Sequence, residues 1–291
     1  MILVSGATGV LGGMITHGLL ERGAAVRVLV REGSDHGALV GAGAEPVIGD
    51  MKDAASLARA CAGVAQVITT ANSASRGGAD TAESVDHRGN VSLIDAARDA
   101  GVSEFIFVSA LGAAAESPVE FFRAKAAAET HLAASGMAWT ILQPNLFMEV
   151  WIGMLIGLPL QQGLPVTLVG AGDHRHTFVS MRDVAAFVLA ASASRGARGR
   201  TLVIGGPEAV TWLDVVRRAE QVIGRPIPVA HVAPGEPLPG LPSVVADLAA
   251  AMETYETVLD TTPLAAEFDI SLTSVTEFLR GALVPATRPV G

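Results

Sequence analysis

The 291-residue chain has a single cysteine, Cys61, a single tyrosine, Tyr255, and only 4% aromatic residues. One cysteine can form no internal disulfide, and its Ala-rich helical setting, SLARACAGV, marks a buried, inert thiol suited to a reducing cytoplasm. Basic residues are also in deficit, with 20 Lys and Arg against 29 Asp and Glu and a net charge of -9. A general nucleic-acid binder needs a basic face to neutralise phosphates, so that class is disfavoured. The most apolar stretch, LFMEVWIGMLIGLPL at 146–160, is broken by Glu149 and Pro159, well short of the roughly 18 apolar residues that indicate a membrane span. It is expected to be core, the wall of a pocket for a small apolar or aromatic molecule, or a partner surface. No basic region or cleavage site precedes the apolar run that begins at residue 2, so no targeting segment is expected and the chain is placed in the cytoplasm. The GxSxG elbow of serine hydrolases is missing too. His174 and His176, in GDHRHTFVS, alternate with no third ligand evident in sequence, so no metal site is expected. Instead His176 is expected to lead a strand and face a pocket, with Asp183 capping or anchoring the helix of RDVAAF.

What is present is a regular alternation. MILVSG, AAVRVLVR, EPVIGD, AQVITTA, SEFIFVSA and MAWTILQP are predicted as six strands separated by helices. Asp53 is placed to cap the helix of AASLARACAG. In SPVE, Ser117 is predicted at the N-cap, Pro118 at the first helical position and Glu120 three residues after the cap. Six strands joined by helices, with a glycine-rich first turn, predict an α/β fold: a doubly wound, Rossmann-type parallel sheet. Residues 1–145 are expected to form this dinucleotide-binding domain. Residues 146–291 are expected to form mainly a smaller, interleaved substrate-binding lobe, with about 175–206 returning to the first domain. In that lobe RDVAAFVLAAS is predicted as helix and RTLVIGG as strand. TWLDVVRRAEQVIG is predicted as a helix capped by Thr211, with Asp214 three residues on and Gly224 at its end. PIPVAHVAPGEPLPGLP is predicted as loop and PSVVADLAAAMETYE as helix.

The informative motif is GATGVLGG. Gly6, Ala7, Thr8, Gly9, Val10, Leu11 and Gly12 lie between the first strand and the first helix. Gly6 permits the tight turn, Gly9 lets the backbone approach a pyrophosphate, and Gly12 lets helix and sheet close together. The phosphates then meet the N–H groups and positive end of the helix. Arg31, 25 residues after Gly6, stands where a ribose-reading residue is expected. Its planar fork would pair with a 2′-phosphate, which with Ser34 favours NADP(H), NAD(H) being the alternative. Glu32 beside it could reverse that preference, and Arg31 could instead be a solvated strand-end charge. Asp50, followed by Met51, is expected at the adenine edge or else as a cap for the helix near Asp53.

Taken in order, GATGVLGG, VIGDMKD, FVSALGA, FFRAKAAAE, LQPNLFME and HTFVSMRDVAAF resemble an atypical short-chain dehydrogenase/reductase of the NmrA-like branch. That branch includes quinone reductases, isoflavone-reductase-like enzymes and redox-sensing regulators that bind the dinucleotide without turnover. The resemblance implies that Thr70, Ala71 and Asn72 line the adenosine and pyrophosphate cleft. It also implies that Ser109 and Lys125 border the nicotinamide, with Pro144, Asn145 and Phe147 closing its far side.

The typical short-chain enzyme places a tyrosine four residues before the lysine, where its phenol exchanges the proton. Here that position is Phe121. Lys125 is left as the catalytic candidate, to hydrogen-bond the ribose or act as acid and base itself; the alternative is a solvent-facing ion pair with Glu129. The expected activity is therefore NADPH-dependent hydride transfer to a quinone, enone or related aromatic or conjugated acceptor, held between the nicotinamide and segment 146–160. The competing expectation is a non-catalytic NAD(P)-sensing regulator acting through a protein partner. A sugar-nucleotide epimerase is disfavoured by the missing tyrosine, and a homo-oligomer is left open.

Overall fold

The computed structural model describes residues 1–74 and 77–284. The chain divides into two compact units, one of Met1–Pro144 with Val184–Val203, the other of Asn145–Asp183 with the chain from Ile204 onward.

All six predicted strands of the first unit form: β1 (Ile2–Ser5), β2 (Val26–Val30), β3 (Glu45–Ile48), β4 (Gln66–Thr69), β5 (Glu104–Val108) and β6 (Ala138–Pro144). After β7 (Val166–Val169) in the second unit, β8 (Arg200–Ile204) completes a seven-stranded sheet in the order β3-β2-β1-β4-β5-β6-β8. Every pairing from β3 to β6 is parallel. The central runs β1, β2, β4 and β5 are buried on both faces, as parallel strands covered by helices must be, while the edge strand β3 is largely exposed. The order reverses between β1 and β4, and a crevice is expected at the carboxyl ends of the strands on either side of such a switch point.

Helices α1 (Val10–Glu21), α2 (Gly37–Gly41), α3 (Ala54–Cys61), α4 (Arg88–Asp99) and α5 (Glu120–Ala133) join the strands. Leu3, Leu57, Val67, Leu93, Phe105, Phe107 and Leu132 are wholly buried in one cluster, each such side chain contributing about 1.5–3 kcal/mol of hydrophobic stabilisation. Asp53 caps α3 as expected, its carboxylate accepting from Ala55 N at 3.1 Å. The start of α5 differs. Val119 occupies the N-cap with extended dihedrals and no side-chain bond, while Ser117 Oγ accepts from Val119 N at 3.2 Å. Serine's local turn onto the backbone has displaced the expected cap, and the helix starts at Glu120.

In the second unit, segment 146–160 forms α6 (Met148–Ile152), a π-helical stretch Gly153–Gly157 and α7 (Leu158–Gln161). Met148, Ile152, Leu155 and Ile156 are buried with Phe178 and Trp212, so one face of this segment is core. Glu149, which interrupts the apolar run, accepts from Met181 N and Ser180 Oγ at the start of α8 (Met181–Ala193). Asp183 anchors rather than caps, accepting from Thr273 N and Oγ1 at 2.7 Å each. The next helix, α9 (Trp212–Ile223), has the predicted capping box of Thr211 and Asp214 and ends on left-handed Gly224. Within the stretch predicted as loop, β9 (Val229–Val232) pairs in parallel with β7. Prolines on either side hid a four-residue strand whose partner is distant in sequence. Three helices follow, α10 (Ser243–Met252), α11 (Thr262–Glu267) and α12 (Val275–Leu283). No helix among the described residues is long and apolar enough to cross a membrane.

Candidate functional site

The glycine turn at the end of β1 assigns each glycine a different geometric duty. Gly6 has φ +84°, and a Cβ there would lie 2.6 Å from Thr70 Oγ1. A Cβ on Gly12 would fall 2.1 Å from Gly6 O, so the first turn of α1 can rest on the glycine loop only if residue 12 has no side chain. Gly9 is different. It is the N-cap of α1, with extended dihedrals and no side-chain capping bond, and its Cβ would meet only Gly6 O, at 3.4 Å. No acidic residue stands in the first turn. Ala7 is buried, whereas Thr8, Gly9 and Val10 are exposed and Leu11 turns back into the core. The turn therefore presents open backbone and the positive end of a helix, the features that fit a dinucleotide's pyrophosphate.

A cleft opens beside this turn, lined by Ser5, Gly6 and Thr8 on one side and by Arg31, Asp50 and Met51 on another, with Ala71, Asp80 and Val85 closing it. Met51 is held from beneath, its Sδ accepting from Ser5 Oγ at 3.4 Å. Asp50 accepts from Lys52 N at 2.8 Å, and since Asp53 caps α3, the capping alternative for Asp50 is excluded. Arg31 is not a lone solvated charge. Its Nη1 pairs with Asp80 Oδ2 at 2.7 Å, and Lys52 Nζ pairs with Asp80 Oδ1 at 2.5 Å.

Thr70, Ala71 and Asn72 continue from β4 past the glycine turn. Thr70 N donates to Ser5 O at 3.0 Å, and Asn72 closes a local turn, donating to Thr70 O and accepting from Ala74 N. Behind them lies the feature the sequence did not reveal. Lys125 is 2% exposed and pairs at 3.1 Å with Asp86, itself 0% exposed, in the π-helical turn that precedes α4. Its ammonium also donates to Ala71 O at 3.4 Å and lies 5.0 Å from the ring centroid of Phe107 and 5.5 Å from that of Phe121. Asp86 accepts from Ser73 N and Oγ as well. The alternative of a solvent-facing pair with Glu129 is thus set aside: Glu129 accepts from Gln143 Nε2, and Lys125 is buried against Asp86. Burial lowers the lysine's pKa from its ordinary value, with Asp86 opposing that shift. Asp86 carried no motif signal; only its spacing before Asn90, whose amide donates to Val85 O and Asp86 O, ties it to this turn.

Ser109, just beyond β5, is 6% exposed, and its Oγ is buried without a hydrogen-bond partner among the described residues. Pro144 O, at the end of β6, accepts from Leu111 N at 3.0 Å. Asn145 and Phe147 belong to the second unit. There Asn145 Nδ2 donates to Thr177 O and Thr257 Oγ1, and Phe147 stands at the N-terminal boundary of α6 without a side-chain capping bond. The expectation for His176 is corrected: it forms isolated bridges to Val210 and Thr257 rather than leading a strand, and is wholly buried, with ring nitrogens 3.0 Å from Thr257 Oγ1 and 3.2 Å from Met252 O. His174 instead lies by Asp173 and Glu253, at 3.4 and 3.9 Å, so the two histidines do not converge. Cys61 is buried, its thiol pushed up to about 11.

A family model described as NAD(P)H-binding matches residues 6–195. Among curated relatives, an NAD(P)H azoreductase of Xenophilus azovorans is 28% identical over 227 residues, 78% of this chain and 75% of the relative. A (4-alkanoyl-5-oxo-2,5-dihydrofuran-3-yl)methyl phosphate reductase of Streptomyces griseus is 33% identical over 229 residues, with the same shares. The photosystem II assembly factor Ycf39 of Cyanophora paradoxa is 30% identical over 233 residues, 79% of this chain and 71% of its own. Among solved structures, the NADPH-dependent quinone oxidoreductase QOR2 of Escherichia coli, complexed with NADPH, shares the fold with a TM-score of 0.81 at 23% identity, over 97% of this chain and 99% of that one.

Proposed function

The chain belongs to the NAD(P)H-binding family, and from that premise we propose that it is an NADPH-dependent oxidoreductase acting on a quinone, enone, azo compound or similar conjugated acceptor. The observation that carries this reading is the glycine turn, which is closed to side chains at Gly6 and Gly12 and open at Gly9 above the N-terminus of α1. A bound reduced nicotinamide supplies the hydride. The amides at the start of α1 hold the pyrophosphate, and Arg31 reads the 2′-phosphate. Lys125 acts as a positioning residue: it fixes the Ala71 carbonyl at the cleft wall and holds Asp86, and through it the turn at Ser73. Phe121 has no proton to give. That absence selects acceptors that delocalise the arriving charge and take their proton from water, which is why quinones, enones and azo compounds are favoured over simple ketones. The likeness to the azoreductase and the phosphate-ester reductase supports the redox reading.

The likeness to assembly factor Ycf39 favours a second reading, a dinucleotide-binding protein that acts through a protein partner without turnover. The deciding experiment measures NADPH affinity by calorimetry and NADPH oxidation against quinones, enones, azo dyes and aromatic ketones. Turnover with the conjugated acceptors, and little with the ketones, is expected. Micromolar binding of NADPH with no oxidation by any acceptor would overturn the enzyme in favour of the partner-dependent protein.

A further inference from the structure

We infer that Asp80 is a built-in occupant of the 2′-phosphate position and sets the balance between NADP(H) and NAD(H). The inference rests on the cleft beside the glycine turn being the dinucleotide site. Three separate crossings of the sheet converge there. Arg31 follows β2, Lys52 follows β3, and Asp80 follows β4. Each cation takes a different oxygen of the one carboxylate, at 2.7 and 2.5 Å. The carboxylate is the sheltered member, its side chain 10% exposed against 47% for Arg31 and 38% for Lys52. Arg31 and Asp80 both line the cleft that begins at Gly6.

Among the described residues, Arg31 and Lys52 held on one anion at the adenosine end of a dinucleotide cleft form a pre-assembled anion site. A phosphate monoester, with a charge of about −1.5 to −2 and three acceptor oxygens, is a stronger ligand for that pair than a carboxylate. It must nonetheless displace Asp80 from Arg31 and Lys52, or bind against its charge. A ribose 2′-hydroxyl meets no such contest and can donate to the carboxylate. Asp80 therefore taxes NADPH and not NADH, and Lys52 joins Arg31 in reading the 2′-phosphate.

The test is calorimetric and needs no turnover. NADPH, NADH, 2′-AMP and 5′-AMP are titrated into the wild type, Asp80→Asn and Lys52→Met. Asp80→Asn keeps the shape and removes the competing charge, so NADPH and 2′-AMP are expected to bind about fivefold more tightly, the scale of a partly exposed ion pair. NADH and 5′-AMP should bind unchanged or more weakly. Lys52→Met should weaken NADPH and 2′-AMP by a similar factor and spare the other two. Equal changes for both members of either pair in Asp80→Asn, or a loss of NADPH affinity, would overturn the role of Asp80 while leaving the cofactor site standing. If Asp80→Asn does not fold, Lys52→Met decides alone, and an unchanged ratio of NADPH to NADH affinity in it overturns the inference. A wild type that binds none of the four ligands overturns the site and this inference together.

Discussion

Replacing Lys125 with methionine is expected to destabilise the protein before it affects any chemistry. Methionine matches the lysine stem in length and can keep contact with the rings of Phe107 and Phe121, so little cavity is created. What remains is Asp86, 0% exposed and stripped of its counter-charge. Breaking a buried pair from one side costs about 3–5 kcal/mol, which at roughly 2–4 °C per kcal/mol for a domain of this size lowers Tm by about 10 °C. Asp86→Asn strands the ammonium and should cost a comparable amount. The double variant Lys125→Met with Asp86→Asn leaves neither charge, and the asparagine can still accept from Ser73, so most of the loss should be recovered. Urea unfolding of the four proteins at neutral pH gives the cycle, with a coupling of about 2 kcal/mol or more expected. A single variant within 0.5 kcal/mol of wild type, or strictly additive losses, would show that the buried ion pair does not exist in solution. The cycle also bears on mechanism. Turnover lost in Lys125→Met but restored in the double variant identifies a positioning lysine; turnover lost in both identifies a lysine that meets the reactants.

Two further outcomes follow from geometry and burial. Gly9→Val should fold with a stability change within about 1 kcal/mol and lose dinucleotide binding, because its side chain enters open space; Gly12→Ala should lose several kcal/mol, because its Cβ would lie 2.1 Å from Gly6 O. Calorimetry and urea midpoints separate the two, and a Gly9→Val protein that binds NADPH normally would place the pyrophosphate elsewhere. His176 has its pKa lowered, first by burial, so the unfolded chain binds its proton more readily than the folded one. The stability linked to it is complete above the unfolded value of about 6.5 and is lost as pH falls through the folded value. Urea midpoints should therefore fall from pH 8 to pH 5, and His176→Gln should flatten that slope; an unchanged slope would refute the assignment.

The sheet was legible because its information is local. Each strand is a short β-branched run bounded by turn residues, and a crossover fixes its neighbour, so all six predicted strands of the first unit form. The geometry of the glycine turn was legible for the same reason, since it is set by seven consecutive residues. Asp86 and Asp80 were not. Their importance comes from partners 39 and 49 residues away, Lys125 and Arg31, and a lone carboxylate in a polar stretch looks like any solvated charge. β9 was missed because prolines that usually end a strand here merely flank one. The cap at Ser117 was misjudged because a serine before a proline can satisfy the backbone in two ways, and the pattern SPVE does not distinguish them.

The first unit is not a continuous stretch of chain. After Pro144 the polypeptide leaves for the 39 residues Asn145–Asp183 and returns only with Val184–Val203. The returning stretch brings β8, which pairs with the edge strand β6, and the end of α8, where Leu189 O accepts from Arg22 and Ser192 bonds Gln66. During synthesis at about 5–20 residues per second, the open edge of β6 thus waits several seconds for the strand that covers it. A nascent chain of this topology completes its glycine turn long before it makes the strand that seals the sheet supporting that turn.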